Sequence, residues 1–320
     1  MPSPKALVHV GTSKTGTSSI QSYFSHHSDA LRKAGLHATP GQHELAFDLM
    51  HARRDSLEAL VRELRDNSSP NVFISSEEFH PLAAGNGLSI LHDILSGAGY
   101  ETTAIVYVRD QAEYAQSMYA ETAKGPNGRR FSAYLNDIAR FGVLSNGPAY
   151  QIFFEYSKLV RALGHIFGDT HVVVRPYQAK LVGDILRVIA SVDPALELPA
   201  HVDPSPSLNG RASLIAVLAD IYEGAARAAS DAPNVATLLQ RSGTDPNDER
   251  LQQPFSPMSR SETLFFVHRF AQDNTRVEGI CSIVIPATRE EEIAAESDPR
   301  WSDAAWQRRV LDITTDVWLR

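Results

Sequence analysis

The sequence contains a single cysteine, Cys281, so no intrachain disulfide can form and a reducing compartment is the simplest expectation. No apolar run approaches the roughly 20 residues of a membrane span, and the opening MPSPKALVHVG has too short an apolar stretch for a secretion signal. Positive charge is also scarce, because 30 basic residues face 38 acidic ones and leave a formal net charge of −8. This balance disfavours nucleic acid and anionic membranes as partners. We therefore expect a cytoplasmic protein that holds any anionic ligand in a local site.

The hydrophobic pattern predicts an α/β fold. Apolar, β-branched runs at 6–10, 71–75, 102–108 and 170–175 are typical of buried parallel strands, and stretches of helical character separate them. The first of these stretches begins at Thr17. Such alternation predicts a mostly parallel sheet flanked by helices on both faces.

The length of 320 residues suits one large domain. We expect a single domain over 1–320, with the α/β core in 1–200 and a helix- and loop-rich C-terminal third in 201–320. Helical patterns in this last part lie near 211–229 and 261–274, after a proline-rich connector.

One loop has no lysine where a common phosphate-binding motif requires it. In HVGTSKTGTSSIQ, residues 9–21, Gly11 and Gly16 have the spacing of an ATP- or GTP-binding loop, but Thr17 follows them in place of lysine. Lys14, inside the loop, is the nearest cation. A strand before the loop and a helix after it place main-chain N–H groups at a helix N-terminus, where they bind anions. These residues favour a donor with one phosphate at the loop and Lys14 at a bridging oxygen beyond it.

The loop resembles the 5′-phosphosulfate loop of sulfotransferases that use 3′-phosphoadenosine 5′-phosphosulfate (PAPS) and release adenosine 3′,5′-bisphosphate (PAP). The resemblance implies a P-loop-like fold and metal-independent, in-line transfer of a sulfuryl group to a hydroxyl or an amine. Lys14 then becomes a catalytic candidate, since its ammonium can stabilise charge on the leaving oxygen. The resemblance assigns the donor's 5′ side to a run of residues: Ser13, Lys14, Thr15, Gly16, Thr17, Ser18 and Ser19.

A second stretch is similar to the 3′-phosphate motif of the same family. In IVYVRDQAEYAQSMY, Arg109 stands at the end of a predicted strand and Ser117 follows eight residues later. An arginine can hold a phosphate with two parallel N–H bonds, and a hydroxyl two helical turns away can complete the site. Taken alone, Arg109 would more often form a surface ion pair with Asp110 or Glu113. Two phosphate motifs in the expected order favour the nucleotide-binding interpretation.

Two further nucleotide contacts depend on weaker likenesses. Tyr177, in VVVRPYQAKLVGDILRVI, falls near the point where relatives stack an aromatic ring on adenine, and a core or surface tyrosine is an equal alternative. The R-K-G-x-x-G element of the eukaryotic cytosolic enzymes is missing here. Arg211, in SPSLNGRAS, is the stand-in that we predict for it.

The acceptor's proton requires a base, and VFISSEEFH supplies the candidates. Its two carboxylates follow a predicted strand, at the sheet edge where open α/β sheets bind ligands. We predict Glu77 as the catalytic base, because relatives carry a histidine or a glutamate after the equivalent strand. Glu78 can be confused with it, His43 in GQHELAFDLMH is the other catalytic candidate, and in the alternative Glu77 only caps the following helix. The segment around His43 lacks H-E-x-x-H, so we predict no metal.

The acceptor and the partners are less constrained. A small molecule or a carbohydrate would each be compatible with the sequence, and a homo-oligomer remains open. The main rival function is a Mg–ATP-dependent phosphotransferase, against which Thr17 counts. The other rival is a nucleotide-binding module without transfer activity.

Overall fold

The described part of the chain falls into two compact units. The first contains described residues of Met1–Arg109, Gly142–Ser205 and Ala271–Pro286, and the second those of Asp110–Phe141, Pro206–Phe270 and Ala287–Arg320. That these units belong to one domain stays a prediction. The computed structural model describes residues 3–40, 43–51, 53, 55–66, 69–122, 131–145, 147, 149–178, 180–198, 258 and 260–285.

A five-stranded sheet forms the centre of the first unit, and all of its neighbouring strands are parallel. Its strand order is β2-β3-β1-β4-β7, and β5 and β6 form a separate antiparallel hairpin. Leu7 lies opposite Phe73 on one side and Thr103 on the other, so β1 is central. The strands are β1 Lys5–His9, β2 Leu36–Pro40, β3 Asn71–Ser75, β4 Glu101–Val108, β5 Val143–Ser145, β6 Gln151–Phe153 and β7 Val172–Pro176.

Helices connect these strands, and among the described residues none is long and apolar enough to cross a membrane. The helices of the first unit are α1 Thr17–His26, α2 Ser28–Lys33, α3 His43–Met50, α4 Asp55–Asp66, α5 Phe79–Leu82, α6 Gly87–Gly97, α9 Tyr156–Phe167 and α10 Leu181–Val192. Those of the second are α7 Gln111–Thr122 and α8 Phe131–Phe141, and α11, Arg260–Cys281, has residues in both units.

Both faces of the sheet are covered by helices. Alternate strand side chains such as Leu7, Phe73 and Tyr107 form one core with α1, α2 and α10. The ring of Phe24 from α1 stacks on that of Phe73 with centroids 4.2 Å apart, and burial of such a side chain stabilises the fold by about 1.5–3 kcal/mol. The intervening strand residues are buried on the opposite face, where α6 and α9 contact β4. The predicted α/β class is therefore confirmed.

The second unit has its own aromatic packing. The ring of Tyr119 on α7 contacts those of Phe131 and Tyr134 on α8, with centroids 4.7 and 5.2 Å apart. Arg269 Nε on α11 donates a hydrogen bond to the carbonyl of Ala139 at 2.7 Å, so α11 is held against α8.

The four predicted strands are confirmed with their ends shifted by at most two residues. The helical pattern after the loop divides at His27 into α1 and α2 and ends before Gly35, whose φ of +87° stops the helix. The pattern at 261–274 lies inside α11, whereas that at 211–229 falls outside the described residues.

Candidate active site

The loop between β1 and α1 is held against the turn that follows β3. Gly11 has a φ of +65°, and a Cβ at this position would lie 2.9 Å from the Cα of Glu77. The main chain therefore turns in a left-handed conformation at a point where no side chain fits. Two candidate segments, the phosphate loop and the carboxylate-bearing turn, are consequently in direct contact.

Threonine side chains fix the loop from within. Thr12 Oγ1 donates to the carbonyl of Tyr107 at 2.7 Å, which ties the loop to β4. Thr15 Oγ1 donates to the carbonyl of Thr12 at 2.5 Å, and the N–H of Thr15 bonds to the same oxygen. Both donors of Thr15 are thus used inside the loop, so this residue shapes it.

The end of the loop has the geometry of an anion site. Lys14 and Gly16 both have a left-handed main chain, with φ of 64° and 76°, and Gly16 is the N-cap of α1. Left-handed residues in a loop turn successive N–H groups toward one side, and the first N–H groups of a helix have no acceptor within it. Thr17 Oγ1 is buried and has no hydrogen-bond partner among the described residues. Ser18 and Ser19 are exposed in the first turn of α1. A ligand oxygen above the loop would satisfy these donors.

Arg109, at the carboxyl end of β4, reaches the phosphate loop. Its Nη1 donates to the main-chain carbonyl of Lys14 at 2.9 Å, and its own carbonyl accepts from the hydroxyl of Tyr156 at 2.9 Å. The guanidinium carbon lies 5.1 Å from the ring centroid of Tyr177, a cation–π contact. A Cβ on Gly16 would lie 3.7 Å from the same ring. The structure therefore brings three predicted nucleotide residues, Lys14, Arg109 and Tyr177, to one place.

A buried polar network below Tyr177 supports these strand ends. Asp184 on α10 is fully buried and accepts hydrogen bonds from the Tyr107 hydroxyl at 3.0 Å and from Arg175 at 2.8 and 3.0 Å. Burial and the neighbouring Asp184 raise the pKa of Tyr107, so its hydroxyl stays protonated and donates. The network links β4, β7 and α10. Sequence reasoning did not identify it, because its polar residues stand in otherwise apolar segments.

The three candidate bases lie together. Ligand atoms of His43, Glu77 and Glu78 are all within 4.8 Å of one another, an arrangement that could also hold a divalent cation. We call these residues the His–Glu cluster. Glu78 Oε2 accepts a hydrogen bond from the hydroxyl of Tyr150 at 2.8 Å. Burial and then the charge of Glu78 raise the pKa of Tyr150, so the phenol remains a donor at neutral pH.

The alternative of a helix cap at Glu77 is not what the structure shows. The residue at the N-cap of α5 is Glu78, and its side chain makes no capping hydrogen bond. Glu77 precedes it in a turn whose geometry is set by a hydrogen bond from the N–H of Glu78 to Ser76 Oγ at 3.2 Å.

For two predicted nucleotide residues, no contact with this group is described. Ser117 is half-buried on α7 in the second unit, and Arg211 lies outside the described residues. Their predicted contacts stay predictions. Ser13 is half-buried in the turn of the loop, next to Lys14.

Two buried histidines lie next to the site and remain neutral. Burial lowers the pKa of His9 and of His80 to about 3. His9 Nδ1 lies 2.8 Å from Ser75 Oγ, and His80 Nε2 accepts from the N–H of Phe153 at 3.1 Å. These contacts connect β1 to β3 and α5 to β6, so both residues are structural.

No family model matches the chain, and no curated protein matches it. Among solved structures, the chain is similar to a sulfotransferase from Alicyclobacillus acidocaldarius, at 15% identity and a TM-score of 0.49, over 88% of this chain and 97% of that one. It is also similar to mouse sulfotransferase SULT7A1 complexed with PAP, at 15% identity and a TM-score of 0.40, over 87% of each chain. At these values neither neighbour identifies an activity or a ligand for this protein.

Proposed function

We propose that the protein is a PAPS-dependent sulfotransferase. The observation that supports this most is the hydrogen bond from Arg109 to the carbonyl of Lys14, because it joins the two phosphate motifs recognised in the sequence. One motif follows β1 and the other follows β4, which are neighbours in the sheet. Open α/β sheets bind ligands at this edge, beyond the carboxyl ends of the strands.

The loop residues fit a bound 5′-phosphosulfate. The N-terminus of α1, the left-handed turns at Lys14 and Gly16 and the unsatisfied hydroxyl of Thr17 offer donors to one anionic group. Arg109 is the candidate for the 3′-phosphate, with Ser117 as its predicted companion. Tyr177 would stack on adenine only by sharing its ring with the guanidinium of Arg109.

PAPS supplies an activated sulfuryl group on a phosphate leaving group. In the proposed reaction the ammonium of Lys14 stabilises the charge that develops on the bridging oxygen. The carboxylate of Glu77 accepts the proton of the acceptor. Glu78, whose Oε2 is held by Tyr150, orients the neighbouring groups, and His43 is the alternative base. The contact between Gly11 and the turn of Glu77 supports this role, because in-line transfer requires the base to lie close to the donor loop.

Thermal unfolding with two nucleotides tests the proposal against its rivals. PAP at 100 times its Kd, in EDTA, should stabilise the protein by about 2.7 kcal/mol. Stabilisation by Mg–ATP alone would support a phosphotransferase instead. A module without activity would bind PAP and never consume PAPS, so PAPS consumption in EDTA separates that rival and also shows whether the His–Glu cluster requires a metal.

A further inference from the structure

A cleft opens next to the His–Glu cluster, within the first unit. It has a volume of about 630 Å³ and lies between α3, α4 and the turn after β3. His43 and Glu78 belong both to the cluster and to the wall of this cleft. A molecule in the cleft would therefore touch His43, the alternative base, and Glu78, the neighbour of the proposed base Glu77. We call it the acceptor cleft.

The described wall of the acceptor cleft is rich in carboxylates. Glu44, Asp48, Asp55 and Glu78 face a single described arginine, Arg53. Asp48 is nearly buried and accepts a hydrogen bond from the N–H of Ser56 at 2.9 Å. That hydrogen bond first, and then the charge of Arg53, lower the pKa of Asp48.

Arg53 and Asp48 thus offset each other, whereas Glu44 and Asp55 have no ion-pair partner among the described residues. Both of these carboxylates are exposed at the cleft. Apolar contact area is also present, since Phe47 is 46% exposed and Met50 is half-buried in the same wall. The Phe47 ring already carries the guanidinium of Arg53, 5.1 Å from its centroid, so the attraction for a cationic ligand comes from the carboxylates of Glu44 and Asp55.

We propose that the acceptor is a cationic amphiphile, with its hydroxyl at the His–Glu cluster and its positive group near Glu44 and Asp55. This inference rests on the proposed function. The acceptor oxygen forms a bond to sulfur as the bond from sulfur to the bridging oxygen breaks. The acceptor's proton passes to Glu77, and PAP leaves. Sulfated or otherwise anionic acceptors are disfavoured by the same carboxylates.

Three phenols that differ only in their terminal group test the proposal: tyramine, 2-(4-hydroxyphenyl)ethanol and 3-(4-hydroxyphenyl)propionate. Their affinities are measured by calorimetry on the protein saturated with PAP. Since an exposed ion pair changes affinity by up to about fivefold, two carboxylates should favour tyramine over the neutral phenol by about tenfold. The propionate should bind most weakly. Raising the salt concentration should lower the affinity for tyramine and should not lower the affinity for the other two phenols.

Matched variants separate ligand recognition from a structural role of the same carboxylates. Glu44→Gln and Asp55→Asn should each lower the affinity for tyramine by about three- to fivefold. The affinity for the neutral 2-(4-hydroxyphenyl)ethanol should stay unchanged in both variants. Glu58→Gln removes an equal charge from α4 away from the acceptor cleft and should change neither affinity.

Equal affinities for the three phenols, or tightest binding of the propionate, would overturn the cationic acceptor. So would the absence of phenol binding in a protein that binds PAP, and that result would leave the proposed function intact. If PAP itself does not bind, the proposed function fails, and the acceptor assignment fails with it.

Discussion

Arg109 donates a hydrogen bond to the main-chain carbonyl of Lys14 across 95 residues of sequence, at 2.9 Å. The contact uses one N–H of the guanidinium and leaves its charge beside the loop between β1 and α1. Lys14 has a left-handed main chain, which costs about 1–2 kcal/mol for a residue with a side chain. Such strain is typical of ligand sites, where the surrounding structure holds it in place.

Lys14→Ala should lower turnover by about 10²–10³-fold, the usual effect of losing one group that stabilises transition-state charge. PAP affinity should fall much less. Turnover is measured as PAP released from PAPS with the best acceptor of a phenol and sugar panel. Lys33→Ala, on the exposed face of α2, is the matched control and should be neutral. Lys14→Gly removes the backbone strain as well, so a stable but inactive Lys14→Gly protein would confirm that the ammonium is required. Wild-type turnover in either Lys14 variant would exclude this role.

Glu77→Gln should lower turnover by about 10²–10⁴-fold, because the amide cannot accept the acceptor's proton. Its affinity for PAP should stay within about twofold of wild type, since the contribution belongs to proton transfer. Glu78→Gln should have a smaller effect, as Glu78 is held by Tyr150. A Glu77→Gln enzyme with wild-type turnover would place the base elsewhere, with His43 the next candidate to substitute.

Gly11→Ala should destabilise the protein by more than the left-handed conformation alone explains. The added Cβ would meet the main chain of Glu77 at 2.9 Å. Gly99→Ala is the matched control, because Gly99 also has a positive φ but nothing lies within 4 Å of its Cβ position. Urea unfolding should show a loss of about 1 kcal/mol for Gly99→Ala and about 2–4 kcal/mol for Gly11→Ala. Equal losses would mean that the loop and the turn can separate without cost.

Stability should fall as the pH drops below 6.5. His9 and His80 have pKa values of about 3 when folded, lowered by burial from the ordinary 6.5. Between these values the unfolded chain binds protons that the folded protein excludes, so acid favours unfolding. At pH 5 each histidine should lower the free energy of unfolding by about 2 kcal/mol relative to its value at pH 7.

Urea unfolding at pH 7 and pH 5 measures this loss of stability in acid. His80→Gln keeps an acceptor for the N–H of Phe153, which the histidine ring accepts at 3.1 Å. Between pH 7 and pH 5 the free energy of unfolding of the variant should fall by about 2 kcal/mol less than that of wild type. An identical loss in both proteins would show that His80 does not titrate on unfolding.

Three of the four strands that sequence predicted, β1, β3 and β4, are buried on both faces, where an unbroken apolar run gives a clear signal. β2 was missed because it alternates Leu36 and Ala38 with polar residues, whereas the other edge strand, β7, begins with three consecutive valines. The strands of the hairpin β5–β6 have three residues each, too few for a periodic pattern. The division of the first helical stretch at His27 likewise has no glycine or proline to signal it.

The candidate site was predictable where its residues form local motifs. The loop from Gly11 to Thr17 and the turn at Glu77 could be located because each follows a strand. Their mutual contact, and that of Arg109 with Lys14, depend on the sheet order, which no local pattern contains. Tyr150 is 72 residues from Glu78 in sequence, and only the fold brings its hydroxyl to that carboxylate. Thr15 was expected to face the ligand, but its hydroxyl donates to Thr12 within the loop.

Calorimetric titration with PAP in EDTA, on wild type and Arg109→Ala, tests the central claim most directly. It probes both phosphate motifs before any acceptor is known. We predict micromolar binding to wild type, weakened in Arg109→Ala by about 1.5–3 kcal/mol, the contribution of a charge-assisted hydrogen bond. Arg62→Ala, an exposed arginine on α4, should bind as wild type does. Absence of PAP binding, or equal affinity in wild type and Arg109→Ala, would contradict the assignment of this site to a PAPS-dependent sulfotransferase.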